Sequence, residues 1–236
     1  TILLSNDLDT LLPNYLVSKE LNIPLVFDSH EIFTEMPLLN GRFTQRIWRV
    51  LEKFIVPKLK YMMTASESYA DWFHKTYGIS RPVVVQNFPK KTENPQNYSE
   101  KNSPKIILYQ GVINPSRGLE KMIPAMKNIE NAEFWIAGDG LQKAELIALT
   151  ENLGLENKIK FLGKLLPEKL REITKKADVG LSIEENNGLS YYFSMPNKVS
   201  DYIQARIPVV VSDFPEMRKV VDTFGLGEKI SNYNEL

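Results

Sequence analysis

Residue pattern alone predicts an α/β protein of two tandem doubly wound domains with parallel sheets, the N-terminal one incomplete. Three observations carry this. Short apolar runs rich in β-branched residues recur along the 236 residues, stretches with helical spacing separate most of them, and one polar, proline-bearing stretch interrupts the alternation.

The runs at 2–5, 24–28, 62–65 and 82–86 read as the strands of the first domain. They are continuous rather than alternating, as strands of a parallel sheet are when both faces are covered. Helical spacing over 11–21 and 45–59 supplies connections between them. Residues 89–104 are almost wholly Lys, Thr, Glu, Asn, Pro, Gln and Ser, the composition of an exposed connector. The boundary is therefore expected there, with residues 1–88 as the first domain and 105–236 as the second.

In the second domain, runs at 105–110, 132–137, 159–162, 179–183 and 207–212 alternate with helical stretches at 119–129, 142–153, 167–176 and 198–205. Five strand signals in this order suffice for an independent doubly wound domain, whereas the first has only four. The chain opens at Thr1 directly on an apolar run, and residues 231–236 hold no closing element. A trimmed piece of a longer protein is expected, its second domain truncated at the end.

Composition removes several function classes. Lys plus Arg equals Asp plus Glu at 29 each, so no global field draws the chain to nucleic acid, and any anionic ligand must be met by local groups. With no cysteine there is no disulfide framework and no thiolate site, and only His30 and His74 supply imidazole. No clustered His, Asp and Glu show ligand spacing, so no metal is expected. No apolar run approaches the ~20 residues that span a bilayer, and no signal-peptide pattern opens the chain, so a soluble, cytoplasmic protein is expected.

In open parallel sheets, ligands bind beyond the carboxyl ends of the strands. Four loops there draw notice. Gly111 to Gly118 delivers Arg117, a bidentate phosphate donor, to the start of a helix. Gly138-Asp139-Gly140 permits a sharp turn and close approach of backbone to a ligand, although a tight turn without ligand is the commoner meaning. Met195-Pro196-Asn197-Lys198 opens a helix whose first-turn amides would face an anion, with Ser194 as the expected cap and Lys198 adding charge. Asp201, three residues on, is placed to share a face with Lys198 and accept sugar hydroxyls. Asp28-Ser29-His30-Glu31 closes the second strand, where His30 is a donor, a base or simply structural.

Taken in order, Asp28 to Glu31, Thr64-Ala65-Ser66-Glu67, the Gly111 to Gly118 loop, Gly138 to Gly140, Phe161-Leu162-Gly163, Met195 to Asp201, Ala205 and Pro208-Val209-Val210 resemble the retaining glycosyltransferases of family 4, the glycosyltransferase group 1 family with the GT-B fold. The resemblance implies two Rossmann-like domains and a sugar moved from a nucleotide-sugar donor to a glycan or lipid-linked acceptor, with retention, as in bacterial polysaccharide synthesis. It implies no cofactor, since the nucleotide-sugar is a substrate, and no metal. It places Arg117 and Lys198 at the donor phosphates, Asp201 at the ribose, and Gly111, Gly138, Gly140, Met195, Pro196 and Asn197 along the donor loops. It makes His30 the first-lobe histidine near the donor sugar. Phe193 stands where the family has the first glutamate of its paired motif, and Val112 where many members carry a second phosphate-binding arginine. These two departures leave a non-catalytic binding module as the competing class. A dinucleotide-dependent oxidoreductase ranks last, for want of GxGxxG.

Residues 41–60 carry Arg42, Arg46, Arg49, Lys53, Lys58 and Lys60 beside Phe43, Trp48 and Phe54. That mixture suits a membrane surface or a lipid-linked acceptor, and hence a peripheral location on the inner membrane face. Helix packing accounts for it more simply, because Ile47, Leu51, Phe54 and Ile55 recur at helical spacing and are expected in the core.

Overall fold

Strand and helix alternate through the chain in a computed structural model that describes residues 1–91 and 103–233. The first four strands are β1 (Leu3–Asn6), β2 (Leu25–Ser29), β3 (Tyr61–Thr64) and β4 (Val83–Val84), with helices α1 (Asp7–Leu21), α2 (Phe43–Ile55) and α3 (Glu67–Tyr77) between them. They form a parallel sheet in sequential order, β1-β2-β3-β4. Helix α3 is bounded as its sequence dictates. The Ser66 side chain accepts from the Tyr69 amide at its start, and left-handed Gly78 closes it.

The second sheet comprises β5 (Lys105–Gln110), β6 (Ala132–Ala137), β7 (Ile159–Gly163), β8 (Val179–Ser182), β9 (Val209–Ser212) and β10 (Gly227–Ile230). The helices of this part are α4 (Leu119–Ala125), α5 (Lys143–Asn152), α6 (Pro167–Lys176), α7 (Leu189–Tyr192), α8 (Asn197–Ala205) and α9 (Pro215–Phe224). The strand order is β10-β9-β8-β5-β6-β7, all parallel. That order reverses direction between β5 and β8, which makes their carboxyl ends the switch point where such sheets bind ligands.

The chain divides into two compact units. Residues 1–87 with 186–195 form one, and residues 88–185 with 196–236 the other. The expectation assigned 186–195 to the second domain; instead the segment packs on the first unit. Tyr69 Oη donates to the Ser190 carbonyl at 2.6 Å, Ser66 Oγ donates to that of Phe193 at 2.9 Å, and the Phe193 ring lies against the apolar core of Phe27, Ile32 and Phe73. Of the expected connector, residues 92–102 lie outside the described residues.

Helix α9 and strand β10 are among the elements that escape a pattern search. The strand reads Gly-Glu-Lys-Ile, an edge strand too polar to announce itself, and is held by register with β9. Gly227 is obligatory there, since a Cβ would stand 1.9 Å from the Val209 carbonyl oxygen. Helix α2 corrects a further expectation. Ile55 is fully buried and Leu51 partly so, but Ile47 and Phe54 face solvent, because the buried side of the helix is taken by Gln45 and Glu52.

Candidate functional site

At the carboxyl end of β8 stands Glu184, buried, and two cations reach it from different elements. Lys198, in the first turn of α8, places Nζ 2.6 Å from Glu184 Oε1; Arg117, at the end of the loop after β5, places a guanidinium nitrogen 3.4 Å from the same oxygen. Ser182 Oγ donates to the other carboxylate oxygen at 2.8 Å. Lys198 is itself buried, with Nζ 4.3 Å from the centre of the Tyr109 ring. The three groups thus meet where the topology predicts a ligand, at the β5–β8 switch point.

The electrostatics follow from one carboxylate facing two cations. Burial acts to raise the Glu184 carboxyl, but the Lys198 and Arg117 charges outweigh it and hold the group below the usual carboxylate range. Burial depresses the Lys198 ammonium, Glu184 opposes that, and the Arg117 charge adds to it. One buried carboxylate thus meets two cations, so an added anion would compete with Glu184 for the same two groups.

The loops that carry this cluster are tightly held. Gly111 N donates to the Ala137 carbonyl, Ile113 N to that of Asp139, and Gln142 N to that of Ile113, so the β5–α4 and β6–α5 loops are zipped by backbone. A Cβ on Gly138 would lie 1.8 Å from the Gly111 oxygen, and one on Gly140 2.3 Å from that of Ile113. Both glycines are therefore explained by loop-to-loop contact. Gly138→Ala is expected to destabilise the protein by about 1–3 kcal/mol, read by urea unfolding. An unchanged midpoint would show that the loops part freely.

Helix α8 starts two residues later than a cap at Ser194 would place it. Pro196 is the extended N-cap residue, Asn197 is the first helical residue, and no side chain caps the turn. Ser194, the expected cap, instead donates to the Tyr191 carbonyl at 2.8 Å and closes α7, while Met195 is the last residue of the segment belonging to the first unit.

Asp201 does not join Lys198. Its carboxylate accepts from Gln110 Nε2 at 2.8 Å, and Gln110 Oε1 accepts from Thr174 Oγ1 at 2.7 Å. It lines a separate cavity of about 400 Å³ whose rim carries Lys90, Lys91, Arg171 and Lys175, and which includes neither Arg117 nor Lys198. Positions i and i+3 differ by roughly 60° about a helix axis, and here Lys198 turns inward to Glu184 while Asp201 turns toward α6. Burial raises the Asp201 carboxyl, with Gln110 opposing.

His30 lies in the first unit, half-exposed between two acids. Its backbone N donates to Asp7 Oδ1 at 2.8 Å, Nδ1 stands 3.0 Å from Asp7 Oδ2, and Nε2 3.3 Å from Asp28 Oδ2. The hydrogen bond with Asp7 is the main cause of a raised His30 pKa, partly offset by burial. Asp7 was invisible in the sequence because its partner is 23 residues away. Glu184 is not assigned from the sequence, since the long link to α8 hides its pairing with Lys198. Val112 is exposed and Phe193 serves the core of the first unit. Among the described residues, no three His, Asp or Glu side chains group as a metal site would need.

The family model described as glycosyl transferases group 1 matches residues 90–235. The lipopolysaccharide core biosynthesis glycosyltransferase LpsD of Rhizobium meliloti is 33% identical over 58 residues, 25% of this chain and 17% of that protein. The chitobiosyldiphosphodolichol beta-mannosyltransferase of Candida albicans is 20% identical over 225 residues, 84% of this chain and 48% of that one. The crystal structure of Anabaena HepE in complex with UDP superposes with a TM-score of 0.73 at 18% identity, covering 97% of this chain and 64% of that one. The fold is that of GT-B glycosyltransferases. This chain spans less than half the length of either curated relative.

Proposed function

Because this chain belongs to the family of glycosyl transferases group 1, we propose that its second unit binds a nucleoside diphosphate-sugar and that the whole protein transfers the sugar, with retention as in family 4, to a glycan or lipid-linked acceptor in bacterial polysaccharide synthesis. One observation carries the reading: the cations Arg117 and Lys198 converge on a single buried carboxylate at the switch point. The uncapped first turn of α8, opening at Asn197 after Pro196, adds amides beside those cations. HepE, a protein of the same fold, is known with UDP bound.

In this reading the bond between the anomeric carbon and the diphosphate oxygen breaks while the acceptor oxygen attacks the same face, and the departing diphosphate takes the acceptor proton. Arg117 and Lys198 stabilise the charge that grows on the diphosphate, and their anchoring to Glu184 fixes them before the reaction begins. The protein contributes positioning and field rather than a covalent nucleophile. His30, held by Asp7 and Asp28, is assigned to orient or stabilise a sugar. Asp201 is assigned to the ribose hydroxyls, which requires a nucleoside to enter the cavity beside Gln110.

Arg117→Ala and Lys198→Ala are each expected to weaken nucleoside diphosphate binding at least about tenfold while sparing the free nucleoside, because a charge-assisted bond to phosphate is lost. Calorimetric titration of both ligands reads this, and equal weakening of the two would contradict the assignment. Transfer itself is read by offering UDP-, GDP-, ADP- and dTDP-sugars with candidate acceptors, following diphosphate release and the product anomer by NMR. An inverted product would remove retention. Silence across the panel would favour the non-catalytic module that the Phe193 and Val112 positions raise.

A further inference from the structure

Helix α2 turns its apolar stripe outward. Phe43, Ile47, Val50 and Phe54 are 74%, 52%, 70% and 60% exposed. At 100° per residue, these four fall within an arc of roughly 60°. Its inward side carries Ile55, the partly buried Trp48 and Leu51, and two buried polar residues that the lobe supplies with hydrogen bonds. Glu52 Oε2 accepts from Thr34 Oγ1 at 2.9 Å and from Tyr77 Oη at 2.7 Å, and Gln45 Nε2 donates to the Thr34 carbonyl at 2.8 Å. The burial of those polar partners fixes the helix rotation, so the outward stripe belongs to the fold and is no accident of packing.

One side of the stripe is cationic. Arg42, Arg46, Arg49 and Lys53 lie together along one side of the stripe, and Lys58 and Lys60 follow beyond its end, with Lys58 Nζ over the Phe54 ring. Residues 41–60 contain one acid, Glu52, and it is buried. Arg49 pairs with Glu35 at 2.9 Å, whereas Arg42, Arg46 and Lys53 are exposed beside the stripe, and an apolar stripe bordered by cations is the surface of a helix that lies in the plane of an anionic bilayer. A second copy suits it less, because a two-fold contact on this face would bring like charges together. Among the described residues no helix is long and apolar enough to cross a membrane.

We infer that α2 docks the protein on lipid surfaces rich in anionic headgroups, with Phe43, Ile47, Val50 and Phe54 entering the interface and Arg46, Lys53 and their neighbours meeting the headgroup charge. This rests on α2 alone and stands apart from the donor-site reading. Co-sedimentation with vesicles of phosphatidylcholine, alone or mixed with phosphatidylglycerol, tests it. Binding is expected to the mixed vesicles, fading as salt rises. Arg46→Gln and Lys53→Gln should each lower partitioning about fivefold, the equivalent of about 1 kcal/mol per cation near such a surface. Phe43→Ser combined with Phe54→Ser should abolish it, with circular dichroism unchanged because both side chains are exposed. Absence of binding, equal binding to both vesicle types, or partitioning untouched by all these changes would overturn the inference. So would a concentration-dependent dimer that the two serine changes dissolve, since it would assign the stripe to a second copy.

Discussion

Glu184→Gln is expected to lower the unfolding free energy by about 3–5 kcal/mol at neutral pH, because it leaves Lys198 buried beside Arg117 with no carboxylate between them. Glutamine keeps the shape and the bond from Ser182, so the loss isolates charge rather than volume. Its pH dependence has a definite sign. A buried lysine whose folded pKa is depressed binds fewer protons than the unfolded chain, so the variant regains stability as pH rises toward the unfolded lysine value near ~10.4. Urea unfolding at neutral and alkaline pH reads this. The same substitution should strengthen UDP binding, since the anion that competes for the two cations is gone. A stable Glu184→Gln protein with unaltered UDP affinity would reduce the cluster to an ordinary ion pair.

The second large effect concerns Glu52, whose carboxyl burial pushes up to about 7 from 4.5, with the bonds from Tyr77 and Thr34 opposing. A raised carboxyl holds its proton in the fold after the unfolded chain has released it, so its contribution is fully present below the unfolded value and is lost as pH rises through the folded one. The window runs from about 4.5 to about 7. A shift of that size corresponds to about 3 kcal/mol. Glu52→Gln, which stays neutral and can still accept from both hydroxyls, should match the parent near the acid end and exceed its stability by up to about 3 kcal/mol at pH values above the window. Thermal unfolding of the two proteins across this range decides it. Parallel curves would mean that Glu52 titrates as it does in water.

Much of the architecture was legible because its signals are local. The strands at 105–110 and 132–137 and the helix at 167–176 coincide with β5, β6 and α6, since apolar runs, Pro167 at a helix start and Lys175 and Lys176 at its end each act within a few residues. Edge strand β10 was missed because its stability comes from pairing with β9, and its own residues are half charged.

The candidate site divides along the same line. Arg117 and Lys198 were found from their loops, and the structure joins them. It joins them through Glu184, however, 67 residues from one and 14 from the other, and it parts Asp201 from Lys198 although they are three residues apart. Helical periodicity likewise located α2 but mistook its orientation, because rotation about the axis depends on what the rest of the lobe offers. Thr34 and Tyr77 offer hydrogen bonds to Glu52, and the aromatic stripe is left outside. The sequence by itself determined the alternation of strand and helix, the doubly wound class and the presence of one cation in the loop after β5 and one at the start of α8. Only the tertiary structure decided which groups face each other, because side-chain pairing depends on strand order, register and burial, and none of these is a property of neighbouring residues.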